Sequence, residues 1–234
     1  MIELLSRLFY IFLIYSIGGW VVETIRVSLR NKNFVNRGFL LGPYCPIYGF
    51  GAVTLDLLLN NFLDMPIVYF FLSIFVAAIL EYFTSYILEK EFNARWWDYS
   101  DRALNVNGRI CLENLLQFAF FAVVIMCFIN KRLLKYYYMF SPSVRHIICL
   151  ILFIIVFCDF CISFYLTRKV KSDIKFLAKD NTKEVSDKVK ELIKHRNIFT
   201  RRIFLAYPDL KLSKLKEKIK EVKDDIDLNF RKEN

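Results

Sequence analysis

The sequence predicts an all-α, polytopic membrane helical bundle with a cytoplasmic amphipathic helical tail. Three observations predict it. Of the 234 residues, 56% are apolar and 17% aromatic, with 24 Phe and a positive mean hydropathy, a balance foreign to ordinary soluble domains. Apolar stretches recur at lengths near the ~20 residues that cross a ~30 Å hydrocarbon core. Charge is segregated: 20 of the 33 Lys and Arg, against 12 of the 23 acids, fall from Arg168 onwards, so that stretch carries +8 of the net +10. Residues 1–167 therefore read as a transmembrane bundle and 168–234 as a basic cytoplasmic tail.

About five spans follow in order: 4–27, 44–63, 66–89, 109–129 and 147–167. The start, Met1-Ile2-Glu3-Leu4, has no basic n-region and no small-residue cleavage site after its apolar run, so the first span reads as retained. The second span opens Gly42-Pro43-Tyr44-Cys45-Pro46 and holds Gly49 and Gly51. It is the weakest of the five, broken or re-entrant at its start, as buried backbone permits. Arg26, Arg30, Lys32 and Arg37 lie in the first loop, and Lys90, Arg95, Arg102 and Arg109 in the third. With the basic tail they place the N-terminus outside and the C-terminus in the cytoplasm of a bacterial-type cell membrane. Lys131, Arg132, Lys135 and Arg145 oppose that orientation, which leaves the side of the 130–146 loop open.

Each span carries a carboxylate: Glu23, Asp56, Glu81, Glu113 and Asp159. An ionisable group in a membrane helix costs a few kcal/mol on insertion scales. At helical spacing each has small or polar neighbours on its own face, as in Ser16-Gly19-Glu23, Cys45-Gly49-Ala52-Asp56-Asn60 and Ser73-Ala77-Glu81-Ser85. Such stripes let helices approach and bond, and for the Ser, Gly and Ala positions that is the better reading. Asp56 and Asp159 could sit cheaply near a membrane face. Glu81 and Glu113 are harder to dismiss as structural, with Arg37, Arg95 and Arg109 as natural partners.

Two loops hold the most unusual sequence. The first runs Asn36-Arg37-Gly38-Phe39-Leu40-Leu41-Gly42-Pro43-Tyr44-Cys45-Pro46-Ile47-Tyr48-Gly49. Its glycines permit rare backbone and its prolines fix φ, which predicts a rigid, shaped entry into span two. The second holds Arg95-Trp96-Trp97-Asp98-Tyr99-Ser100 and Asn105-Val106-Asn107-Gly108-Arg109-Ile110. Paired Trp suit the headgroup zone, and Asn107-Gly108 is an ordinary turn signal.

The pattern NRGFLxGPxxPIYG, with WWDYS and the NGRIxL that opens span four, resembles the type IV ABC-transporter membrane family, also labelled CmpB, over residues 10–165. The resemblance implies a permease subunit. It puts weight on Trp20, Glu23, Asn36, Arg37, Gly38, Gly42, Pro43, Pro46, Gly49, Glu81, Trp96, Trp97, Asp98, Tyr99, Asn107, Gly108 and Arg109. With Glu113 added from its stripe, the candidate substrate or ion path comprises Glu23, Asn36, Arg37, Glu81, Trp96, Trp97, Asp98, Tyr99, Asn107, Arg109 and Glu113.

The tail beyond Arg168 shows apolar residues at helical spacing on either side of Pro208, which predicts two amphipathic helices that pair or dock on a partner. Their basic faces suit anionic lipid headgroups. Nucleic acid is disfavoured as a partner, since no aromatic platform accompanies the charge. Cys158 and Cys161 have CxxC spacing but no second Cys/His pair, so all six cysteines read as small apolar residues and no metal is expected. No cofactor is called for. The chain lacks GxxxxGK[ST], GxSxG and HExxH, so an ATPase, if used, is a separate subunit. The leading reading is a permease subunit moving a solute or lipid through the bundle, as a homo- or hetero-oligomer among membrane lipids. The alternatives are an intramembrane enzyme on a lipid-linked substrate and a scaffold that recruits partners by its tail.

Overall fold

A computed structural model describes residues 1–92, 94–177 and 211–212. Helix α1 (Ile2–Asn31), α2 (Pro46–Leu59) and α3 (Pro66–Phe92) come first. Leu112–Tyr138 is one long apolar helix. It runs as α4 (Leu112–Val123), a π-helical stretch (Val124–Ile129) and α5 (Asn130–Tyr138), and α6 (Pro142–Leu177) follows. Among the described residues four helices are long and apolar enough to cross a membrane: α1, α3, the α4–α5 helix and α6. At most 22% of any of their apolar windows is buried inside the protein, which leaves most of each surface to lipid. The helical membrane bundle expected from composition is what forms.

The second expected span is corrected. Helix α2 has 14 residues, about 21 Å at 1.5 Å per residue, too short for the core. Extended Cys45 precedes Pro46 at the first helical position, as proline requires of its neighbour. At its other end α2 passes into a 3₁₀ turn, Asn60–Phe62. The five expected spans thus become four long helices and one short one. The α4–α5 helix also outruns the end expected at 129 for the fourth span. Lys131, Arg132 and Lys135 belong to α5, Arg145 to α6, and the connection shrinks to residues 139–141.

The chain divides into two compact units. The first, residues 1–84 and 99–165, contains the pairing of α1 with α2. The two helices run antiparallel and meet at glycines. A Cβ on Gly49 would collide with Ser16 Oγ and the Phe12 carbonyl, and one on Gly19 with the Tyr48 ring. Ile11, Ala52, Leu59, Tyr69 and Met126 form the core beside this seam. The loop into α2 is rigid for a reason the sequence did not display. Asp159 of α6 accepts the backbone N–H groups of Leu41 at 2.9 Å and Gly42 at 2.7 Å, and the Ser163 hydroxyl at 2.8 Å. Burial, reinforced by Asp159, pushes the Tyr44 hydroxyl up to about 12. A short antiparallel ladder, β2 (Asn105–Val106) with β3 (Ile110–Cys111), precedes α4. Asn107 and Gly108 turn it with φ of 53° and 65°, the Asn-Gly preference of tight hairpins.

The second unit includes residues 85–98 and 166–177. Within it Arg95 bridges Glu89 at 3.3 Å and Asp98 at 3.6 Å. Trp96 is buried edge-on against Phe92, with ring centroids 6.1 Å apart. Arg168 pairs with Glu91 at 2.7 Å. Strands β1 (Ala94–Arg95) and β4 (Lys211–Leu212) pair antiparallel, so Leu212, expected to begin an amphipathic helix, is in a strand. The rest of the expected tail helices, 178–210 and 213–234, lies outside the described residues.

Candidate functional site

Two carboxylates, Glu23 of α1 and Glu81 of α3, each accept a hydrogen bond from a tyrosine hydroxyl. Glu23 lies eight residues before the end of α1 at Asn31, and its partners come from α2 and the loop before it. The Tyr48 hydroxyl of α2 donates to Glu23 Oε1 at 2.7 Å. Arg37 Nε lies 3.7 Å from Glu23 Oε2. The Arg37 N–H donates to Thr24 Oγ1 at 3.3 Å, and Trp20 Nε1 donates to Asn36 Oδ1 at 2.7 Å. Side chains on α1 thus fix the start of the loop whose far end Asp159 holds.

Glu81 belongs to α3. It is only 5% exposed. The Tyr99 hydroxyl donates to its Oε1 at 3.1 Å, while Oε2 is buried without a hydrogen-bond partner among the described residues. Tyr99 is placed by its own N–H, which donates to the Gly108 carbonyl at 2.8 Å, and Asn114 of α4 also bonds its hydroxyl. Burial pushes the Tyr99 hydroxyl well above the usual phenol range, and the adjacent Glu81 adds to the effect, so Tyr99 acts as a neutral donor. On the next position of α3, the Tyr82 hydroxyl accepts from Asn107 Nδ2 at 3.2 Å, and the Arg109 guanidinium lies 5.6 Å from the Tyr82 ring centre.

Of the expected path residues, the first unit holds two sets, Glu23 with Asn36 and Arg37 beside α1, and Glu81 with Tyr99, Asn107 and Arg109 beside α3. Glu113 stands apart: its carboxylate pairs with Arg102 at 3.2 Å, both side chains more than half exposed. It lies in the first turn of α4. Trp96, Trp97 and Asp98 lie in the second unit, Trp96 and Asp98 with the contacts given above. The expected arginine partner of Glu81 is replaced by Tyr99.

Three further residues matter that sequence reasoning passed over. Tyr48 was visible only as part of PIYG. Asn114 lay beside a favoured glutamate. Arg7 is the first cation of the first apolar span, far along the helix from Arg26. Its two Nη atoms grip Asp56 at 3.3 and 2.8 Å, and Asp56 is 4% exposed. An arginine in an apolar helix needs a carboxylate, and that signal was in the sequence. Nearby, Tyr15 donates to Asn130 Oδ1 at 3.0 Å just after the π-helical stretch. The five carboxylates therefore do not share one cavity. Asp56 and Asp159 hold structure together, Glu113 is at the surface, and Glu23 and Glu81 each accept from a tyrosine hydroxyl. Among the described residues no three His, Cys, Asp or Glu side chains cluster as metal ligands would.

No curated protein and no solved structure matches the chain. A family model does, over residues 10–164. That match covers the α1–α2 seam, both shaped loops and the tyrosine-bonded Glu23 and Glu81, and the chain belongs to the family described as "Putative ABC-transporter type IV".

Proposed function

We propose that this protein is the permease subunit of a membrane transporter, and that the Glu23–Tyr48 and Glu81–Tyr99 pairs form the polar point through which its solute or lipid passes. The observation that carries the reading is Glu81: a carboxylate in an apolar helix, sealed from solvent, with one oxygen unpartnered. Intramembrane carboxylates of that kind mark substrate and ion pathways. The family description supports the ABC class. The sequence has no P-loop, so ATP hydrolysis falls to a separate subunit that would meet the two shaped loops on the cytoplasmic side. Residues 1–167 form the membrane part in this reading, and 168–234 a basic tail on the same side as those loops, drawn to anionic lipid. A chain with four long helices is small for a complete pathway, so two or more chains would assemble around it.

The test is recovery of the complex. Full-length tagged protein is cross-linked in native bacterial membranes, extracted and analysed for co-purifying subunits. An ATPase should be recovered, and its ATP hydrolysis in proteoliposomes should fall at least tenfold when the permease carries Glu81→Gln. Repeated recovery without any ATPase sinks the ABC reading.

A further inference from the structure

We propose that Glu81 Oε2 is the binding point of a small exchangeable cation, a proton or a sodium ion; its part in driving transport rests on the permease reading above. A carboxylate oxygen is an acceptor only, so what completes it must be a donor or a positive charge. The neighbours supply neither at Oε2. Tyr99 spends its one proton on Oε1. Asn114 and Cys111, from the start of α4, act on Tyr99. On α3 itself, Tyr82 is engaged by Asn107 and Arg109. Tyr48 and Arg37 are both committed towards Glu23. A bare carboxylate so enclosed would carry a desolvation cost of several kcal/mol; a proton at Oε2 removes it by neutralising the group, and a sodium ion offsets it where the ion keeps further oxygen ligands, water included.

Size argues for a small ion. Oε2 has essentially no exposed surface, which leaves an organic cation no access in this conformation. Exchange is provided for by where the donor sits. Tyr99 belongs to the 99–111 loop, not to a long helix, and is tied to the Asn107-Gly108 turn through the Gly108 carbonyl. A shift of that hairpin would withdraw Tyr99 from Oε1 and open Oε2 together, so occupancy of Glu81 and position of the loop are linked in both directions.

The experiment is infrared spectroscopy of the full chain in phosphatidylglycerol-containing nanodiscs, in sodium-free buffer at pH 7. The expected result is the C=O band of an un-ionised carboxyl that moves in D2O and is absent in Glu81→Gln, or a carboxylate band that shifts on adding NaCl but not choline chloride and is absent in the same variant. The first identifies the proton, the second sodium. Absence of both signals in the wild type, or their survival in Glu81→Gln, overturns the site. If Glu81→Gln does not insert, Tyr99→Phe serves: loss of the Oε1 donor should shift the band, and an unmoved band overturns the assignment. The readout needs no ATPase and no transport. A Glu81 signal in a chain that never recovers an ATPase keeps this site and sinks the permease reading, and an ATP-coupled chain without the signal does the reverse.

Discussion

Asp56 and Glu81 are equally hidden, 4% and 5% exposed, yet their surroundings differ in kind. Asp56 is gripped by both Nη atoms of Arg7. Glu81 has one phenol hydroxyl and an orphan oxygen. Burial alone therefore says little about the role of a membrane carboxylate. What separates structure from candidate chemistry is whether the charge is answered inside the protein.

The comparison breaks most sharply at the ion pair. Asp56→Ala should destabilise the protein by about 3–5 kcal/mol, because a half-buried arginine loses its partner. Chemical denaturation in detergent would measure it, and adding Arg7→Met should recover much of the loss. A single-variant loss below about 1 kcal/mol would show that the pair is dispensable. Next comes the seam between α1 and α2. Gly49→Ala places a methyl against Ser16 and Phe12, and overpacking of this kind costs about 1–3 kcal/mol. The melting temperature should drop, and a variant as stable as the parent would mean that α1 and α2 are not held this closely.

Asp159→Asn should cost about 1–2 kcal/mol, since an amide answers two backbone N–H groups less well than a carboxylate. Amide exchange should quicken at Leu41 and Gly42 while α1 stays protected; uniform exchange would deny Asp159 its hold on the loop. Glu81→Gln is expected to change stability least among the buried sites, within about 0.5 kcal/mol, because the amide keeps an oxygen for the Tyr99 hydroxyl and no protein partner is lost at Oε2. A loss as large as that of Asp56→Ala would place Glu81 among the structural carboxylates. Smallest of all, Glu113→Gln breaks an exposed pair with Arg102 worth about 0.2–1 kcal/mol and should leave ATP hydrolysis unchanged.

Much of this was legible in the chain. Apolar length named the long helices, since a helix in lipid must satisfy its own backbone. Pro43, Pro46 and the Gly49 stripe marked a shaped entry and a close seam, because proline and glycine act locally. The Asn107-Gly108 turn was legible for the same reason. Other features were not. The length of α2 depended on where its ends settle, and Pro46 cut it to less than a span. The α4–α5 helix ran on through a π-helical stretch that no periodicity announces. Which partner each carboxylate meets was decided between helices: Arg7 and Asp56 lie 49 positions apart, and Leu41 and Asp159 lie 118 apart. The sequence by itself determined a helical membrane protein with five costly carboxylates and two rigid loops, because hydropathy and backbone preference are properties of short segments. Only the tertiary structure decided which of those charges are answered and that Glu81 is left with a bare oxygen, because compensation is a property of neighbours, and packing chooses the neighbours.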